Sequence, residues 1–151
     1  MAVPLLDLRA QHARIRESVV AAMMKVVDDQ AFILGAPVSA LEADVSALSR
    51  TKYAVGCASG TDALLLALKA LDVGPGDEVV TTPFTFFATA GTIHNVGARA
   101  VFVDIDPKTF NIRADLAAAA VTKKTKAIIP VGLFGQVAPL RSEEHTSELQ
   151  S

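Results

Sequence analysis

Ser59, Gly60, Thr61 and Asp62 stand where a β-rich run gives way to an almost uninterrupted apolar helical pattern, in VGCASGTDALLLALKAL from Val55 to Leu71. A helix beginning at Thr61 or Asp62 exposes unpaired backbone N–H groups with partial positive charge, and Gly60 lets an anion approach that backbone closely. Ser59 and Thr61 add hydroxyl donors. This is the chemistry of a phosphate seat, yet Ser, Gly and Thr also make ordinary caps and turns, so the turn alone leaves both readings open. A second segment, Pro83-Phe84-Thr85-Phe86-Phe87, follows the next β-rich run. Phe86 and Phe87 open the following helix, and one of them could lie flat on a planar ring whose phosphate occupies the turn, although phenylalanines at such a join are also common core residues.

Other chemistries fit less well. The spacing Gly56-x-x-x-Gly60 is not the dinucleotide pattern G-x-G-x-x-G, and no lysine follows Gly60 as a Walker motif requires. A dinucleotide site also wants an acid at the carboxyl end of the next strand, whereas Asp77 and Glu78 fall at its amino end. Cys57 is the sole cysteine, which excludes an internal disulfide and a multi-cysteine metal site; it reads as a small buried strand residue. His12, His94 and His145 are too scattered for a metal site, so none is expected.

These residues must be positioned by regular elements. Ile15, Val19, Met23 and Val26 recur at helical spacing, predicting an amphipathic helix from about Leu8 to Asp28, with Met23 and Met24 in core or subunit packing. Gly35 and Pro37 break the chain, and Ser39 with Glu42 resembles a capping box ahead of a second helix to about Ser49. Strands are then expected at Tyr53–Ala58, Glu78–Thr82, Ala100–Asp104 and Lys126–Val131. Helical patterns at Asp62–Leu71, Thr85–Asn95 and Ala114–Val121 fill the gaps, with breakers such as GPGDE at Gly74–Glu78 and VGAR at Val96–Arg99. Strand–helix alternation predicts an α/β fold with a mainly parallel sheet, flanking helices and right-handed crossovers. Ligands of such sheets gather at the carboxyl ends of the strands, where both segments above belong.

Composition agrees. The chain has 151 residues, 51% hydrophobic and 20% charged, enough for a sizeable core, and a net charge of −2. Lys123, Lys124 and Lys126 are confined to one connection, so no basic stripe points to nucleic acid. No apolar run is long enough for a bilayer and Met1-Ala2-Val3-Pro4 does not open a secretory signal, so no membrane partner and a cytoplasmic location are expected. The last eleven residues, RSEEHTSELQS from Arg141 to Ser151, show neither helical nor strand periodicity. They resemble, residue for residue, the conceptual translation of a common sequencing-library adapter, and are set apart from the fold as a non-native tail; residues 1–140 form the genuine segment. Setting Arg141, Glu143, Glu144 and Glu148 aside leaves 13 basic and 13 acidic residues.

Six stretches occur in an order that resembles one family: PLLDL at Pro4–Leu8, QAFILG at Gln30–Gly35, ASGTDALLLAL at Ala58–Leu68, GPGDEVVTTPFTFFATA at Gly74–Ala90, VFVDIDPKTFNI at Val101–Ile112, and TKAIIPVGLFGQ at Thr125–Gln136. The family is the DegT/DnrJ/EryC1/StrS group of pyridoxal-phosphate sugar aminotransferases, and the resemblance covers Pro4 to Leu140. It implies the N-terminal part of a large domain of the aspartate-aminotransferase (type I) fold. By motif, Gly60, Thr61 and Asp62 would cradle the cofactor phosphate and Phe86 would stack on its pyridine ring. Phe32 and Leu34 would lie near the substrate and the neighbouring subunit, while Asp104 and Asp106 are expected to serve a turn. Two positions depart from the pattern: Gly132 stands where relatives often carry histidine, and Ala31 where glycine is common.

The resemblance further implies a homodimeric parent that moves an amino group, from a donor such as glutamate, onto a nucleotide-linked keto-sugar through pyridoxamine phosphate. Polysaccharide or modified-sugar biosynthesis is the implied setting. The Schiff-base lysine and the acid facing the pyridine nitrogen lie downstream of the FGQ segment in relatives. None of Lys25, Lys52, Lys69, Lys108, Lys123, Lys124 or Lys126 matches that lysine, so the chain reads as an inactive fragment. Alternatives are a sugar dehydratase using the same cofactor, a non-catalytic regulator or binding module that keeps the fold, and a nucleotide-binding α/β domain.

Overall fold

The computed structural model describes residues 6–138. They divide between Gly56 and Cys57 into two compact units. The non-native tail expected from Arg141 lies outside the described residues.

The first unit holds α1 (Leu8–Asp28) and α2 (Ala36–Ser49). Asp7 caps α1, its Oδ1 accepting from the N–H groups of Arg9 at 3.0 Å and Ala10 at 3.3 Å. The amphipathic stripe is present, but no residue of α1 is buried, so Met23 and Met24 are not core within this unit. α2 starts earlier than the Ser39–Glu42 capping pattern predicts. Gly35 is its N-cap and Pro37 lies in the first turn, where a missing N–H costs nothing. Ser39 is therefore inside the helix, and Glu42 Oε1 instead accepts from the Gly56 N–H at 2.8 Å.

The expected strand at Tyr53–Ala58 does not form. That stretch has no ladder partner among the described residues, and an isolated extended segment is not a strand, because pairing defines one. Cys57 is consequently exposed and not buried, its Sγ donating to the Ser59 carbonyl at 3.3 Å.

The second unit runs α3 (Gly60–Ala70), β1 (Glu78–Thr81), α4 (Phe87–Asn95), β2 (Arg99–Phe102), α5 (Ala114–Ala119), β3 (Thr125–Ile128) and a 3-10 turn at Leu133–Gly135. The three strands form a parallel sheet in the order β2-β1-β3, with Val80 opposite Val101 on one side and Ile128 on the other. From β1 the chain steps outward to β2, then returns past β1 to β3. Two crossovers of the same hand that step in opposite directions place their helices on opposite faces. The packing agrees: Val79 clusters with Leu68 of α3 and Ile93 of α4, while Val80 clusters with Ala117 of α5 and with Ile112, which precedes that helix. Alternate residues of one strand thus anchor two cores. Val79, Val80 and Ile93 are fully buried, each contributing roughly 1.5–3 kcal/mol.

α3 and α4 both end by the same device. Asp72 donates its N–H to Lys69 O and Val73 donates to Leu68 O; Gly97 donates to His94 O and Ala98 to Ile93 O. Both are Schellman endings with a left-handed residue past the cap, Asp72 at φ 53° and Gly97 at φ 80°. In the first, Val73 closes hydrophobically on Leu68 in the same cluster. The loops so formed lead directly into β1 and β2.

At the other end of β2, Asp106 organises a turn, as expected. Its Oδ1 accepts from the N–H groups of Lys108 at 2.9 Å and Thr109 at 2.8 Å, and Asp104 Oδ1 accepts from Ile105 N–H at 2.8 Å. The two N–H donors favour the ionised form and hold the Asp106 carboxyl below its ordinary value of 3.8.

Two outcomes test this account. A β-carbon at Gly97 meets Pro75 Cγ at 3.0 Å and must adopt φ 80°. Gly97→Ala should therefore cost about 1–2 kcal/mol in denaturant unfolding; an unchanged midpoint contradicts it. For Asp106, a folded pKa below the unfolded one means that its stabilisation is present above the unfolded pKa and is lost as pH falls through the folded pKa. Carboxyl NMR should give Asp106 a midpoint below 3.8; a midpoint at or above that value removes the turn's electrostatic role.

Candidate functional site

The carboxyl ends of β1 and β2 and the amino ends of α3 and α4 share one edge of the sheet. α3 reaches β1 through the short loop Leu71–Asp77, so its carboxyl end meets the amino end of β1 and its amino end lies at the opposite edge. α4 begins just after β1 leaves that edge. The two helices pack side by side.

The α3 start is capped internally. Ser59 is the N-cap; its Oγ accepts from Asp62 N–H at 3.1 Å and donates to Asp62 Oδ2 at 3.0 Å. The first intrahelical bond runs from Ala63 N–H to Ser59 O at 3.0 Å. The N–H groups of Gly60 and Thr61 precede every intrahelical acceptor and remain for an external one. A β-carbon built on Gly60 meets nothing within 4 Å, so the approach to that backbone is open. Gly60 and Thr61 are both exposed, and Asp62 is half-buried. Asp62 thus participates through its cap contacts, its own N–H being taken by Ser59.

The three phenylalanines of the next loop differ. Phe84 stacks on Phe110, with centroids 5.7 Å apart at 28°. Phe87, 79% exposed, lies along its own helix, where its ring is close enough to Gly91 that a β-carbon there meets Cε1 at 3.0 Å. Phe86, the N-cap residue of α4 with extended backbone, is 76% exposed. The loop around it is fixed: Thr82 Oγ1 accepts from Phe84 N–H at 3.2 Å, and the Thr85 and Thr89 hydroxyls are 2.8 Å apart. Buried Thr81 donates its Oγ1 to Ile129 O at 2.9 Å, tying β1 to the residue after β3.

Phe32 and Leu34 belong to the first unit and are exposed, at 66% and 83%, with Leu34 in the left-handed region at φ 47°. Gly60, Thr61, Asp62 and Phe86 share the carboxyl edge of the second unit. Among the described residues no cluster of three or more His, Cys, Asp or Glu side chains could hold a metal ion. Of the second unit's five lysines, Lys69 is in the last turn of α3, Lys123 and Lys124 precede β3 and Lys126 is its second residue, all at the far edge; Lys108 is in the Asp106 turn. Sequence reasoning missed Phe110 and Asn111, which brace this edge. Their signal is nonlocal, since only the fold brings Phe110 to Phe84 and the Asn111 amide to Val137 O, at 3.2 Å.

The donors present suit a phosphate ester that carries a planar ring. Two N–H groups without an intrahelical acceptor and a threonine hydroxyl stand at one helix start, and an exposed aromatic stands at the neighbouring one.

Comparison with known proteins agrees. Residues 13–148 match the DegT/DnrJ/EryC1/StrS aminotransferase family. A pleiotropic regulatory protein of Geobacillus stearothermophilus is 54% identical over 94% of the chain, and a UDP-N-acetyl-3-dehydro-alpha-D-glucosamine 3-aminotransferase of Acidithiobacillus ferrooxidans is 50% identical over 92%. The chain spans 38% of the length of each. Among solved structures, DesV of S. venezuelae, in complex with a ketimine intermediate, superposes with a TM-score of 0.93 at 35% identity, over 97% of this chain and 40% of that one. NtdA of Bacillus subtilis, with bound pyridoxamine phosphate, gives 0.84 at 31% identity, over 88% and 31%. The α/β fold with its parallel sheet is therefore the corresponding portion of the pyridoxal-phosphate aminotransferase fold, and this chain belongs to the DegT/DnrJ/EryC1/StrS aminotransferase family.

Proposed function

We propose that residues 1–140 are the N-terminal part of a pyridoxal-phosphate aminotransferase that transfers an amino group from an amino acid, glutamate by preference, to a nucleotide-linked keto-sugar. Polysaccharide or modified-sugar biosynthesis is the setting, in the cytoplasm and as a homodimer. The observation that carries this reading is the open first turn of α3, where a β-carbon on Gly60 would enter empty space, at the same sheet edge as exposed Phe86. The sugar acceptor is supported by the Acidithiobacillus relative, whose name specifies a UDP-linked 3-keto sugar. Among the described residues no helix is long and apolar enough to cross a membrane. The exposed apolar stripe of α1, with Ile15, Val19 and Met23, supports a subunit contact. Phe32 and Leu34 are assigned to the substrate side, and residues 141–151 to the non-native tail.

Pyridoxal phosphate held at this edge would supply an electron sink for amino-group transfer. The chain's own residues hold it. The Gly60 and Thr61 N–H groups and the Thr61 hydroxyl donate to the phosphate, and the partial charge of the α3 start favours the dianion. Asp62 keeps its carboxylate turned to Ser59 Oγ, locking the cap. Phe86 covers one face of the ring and excludes water from it. No lysine of the second unit lies in the α3 start or the Phe86 loop, which supports the reading that the 151 residues alone do not transaminate.

A second reading is a regulator that keeps the fold without the reaction. It is favoured by the Geobacillus relative, which is named for regulation.

Three measurements separate these. Full-length protein should bind pyridoxamine phosphate and convert a UDP-linked 3-keto sugar with glutamate; binding without conversion supports the regulator, and no binding overturns both. Gly60→Ala should weaken pyridoxamine phosphate at least about tenfold with an unchanged or higher Tm, because alanine in the first turn meets no neighbour and suits a helix better than glycine. Unaltered affinity places the phosphate elsewhere. The 151-residue chain, incubated with pyridoxal phosphate and reduced with borohydride, should show no pyridoxyl-lysine by mass spectrometry at any of its seven lysines, from Lys25 to Lys126; a stoichiometric label on one of them overturns the claim of inactivity.

A further inference from the structure

Phe110 is the one residue between β2 and α5 held in the left-handed region, at φ 60°, which crowds any residue with a β-carbon. The turn around it is closed by Phe110 N–H donating to Asp106 O at 2.8 Å and by Asp106 N–H donating to Asn111 O at 2.9 Å. Beyond that pair, Ile105 and Ile112 form an antiparallel bridge. The turn is thus rigid, and the strained residue at its end is the one whose ring stacks on Phe84. Its neighbour Asn111 is buried, and the Asn111 Nδ2 donates to Val137 O at 3.2 Å. Two adjacent residues therefore reach two different loops of the carboxyl edge: Phe110 the β1–α4 loop, and Asn111 the loop after β3.

Phe84 lies two residues before Phe86, with Thr85 between them bonded to Thr89 in the first turn of α4. The loop that presents Phe86 is consequently held from two sides, by the threonine pair and by the Phe84–Phe110 stack. We propose that Phe110 is a positioning residue for Phe86: its ring, braced by the Asp106 turn, fixes the β1–α4 loop so that Phe86 is held ready for the cofactor ring. This rests on the reading of Phe86 as the cofactor's stacking partner. Phe110 touches neither cofactor nor substrate in this role, and it acts on the ring half of the site alone. The phosphate half, at the start of α3, is closed by Ser59 and Asp62 without any contribution from the Asp106 turn.

That separation gives the test. In full-length protein, affinity for pyridoxamine phosphate is read by fluorescence titration, and affinity for inorganic phosphate at the same site by competition. Phe110→Leu keeps bulk and loses the stack. It should weaken pyridoxamine phosphate about threefold to tenfold, the range of one aromatic pair, leave inorganic phosphate within about twofold, and be rescued by Phe110→Tyr. Phe84→Leu removes the same stack from the other ring and should reproduce the pattern if the first variant does not fold. Equal loss for both ligands together with a lower Tm assigns Phe110 to stability only and overturns the proposal, as does wild-type affinity in both leucine variants. If wild-type protein binds inorganic phosphate but pyridoxamine phosphate no better, the cofactor reading itself fails, and this inference with it.

Discussion

The second unit depends on one constraint: β1 is buried on both faces and bonded on both edges. All four of its residues, Glu78 to Thr81, are buried, including a carboxylate and a hydroxyl. A buried backbone must pair its N–H and C=O groups, and β2 and β3 supply both sets in parallel. Its polar side chains are answered too. Glu78 accepts from the Thr122 hydroxyl at 2.7 Å and faces Arg99 at 3.6 Å, while Thr81 donates to Ile129 O. The Glu78 contacts fall at the amino end and the Thr81 contact at the carboxyl end, so side chains as well as the ladder hold the two neighbours to β1.

The site follows from that strand. Parallel neighbours require crossovers, crossovers bring helix starts to the carboxyl edge, and helix starts carry unpaired donors. The order β2-β1-β3 puts β1 at the centre of the three strands, and in open α/β sheets ligands bind outside the carboxyl ends of the strands. What distinguishes this edge from a generic one is local. The α3 cap satisfies Asp62 but leaves Gly60 and Thr61, and the β1–α4 loop stacks Phe84 on Phe110 but leaves Phe86 exposed.

Elements whose signals are local were legible in the sequence. α1 was read from Leu8 to Asp28 because apolar spacing and flanking breakers sit within the helix itself. α3, β1 and the Asp106 turn were legible for the same reason. Three features were not. Tyr53–Ala58 has strand composition, but a strand is a pairwise property, and composition cannot say whether a partner is in reach. Ser39 with Glu42 matched a cap pattern, but Gly35 and Pro37 offered an earlier start, and Glu42 was left to bind the Gly56 N–H. Asp72 and Phe110 adopt positive φ where glycine is the usual choice, and nothing in either residue announces it. For Asp72 the Schellman bonds and the closure of Val73 on Leu68 oppose the strain, and for Phe110 the Asp106 turn does.

The candidate site divides along the same line. Gly60, Thr61 and Asp62 are consecutive, so their arrangement is set by one helix start and could be read from a single motif. Phe86 is separated from them by a helix, a loop and a strand. Its position at their edge holds only because β1 lies at the centre of the sheet and α3 and α4 pack on one face of it. A phosphate seat as proposed would depend on that one turn, whereas a ring face on Phe86 would depend on anything that shifts the β1–α4 loop. Substitutions at Thr82, Thr85, Thr89 or Phe84 should therefore act on ring recognition before they act on phosphate binding, although none of these residues lies in the α3 turn.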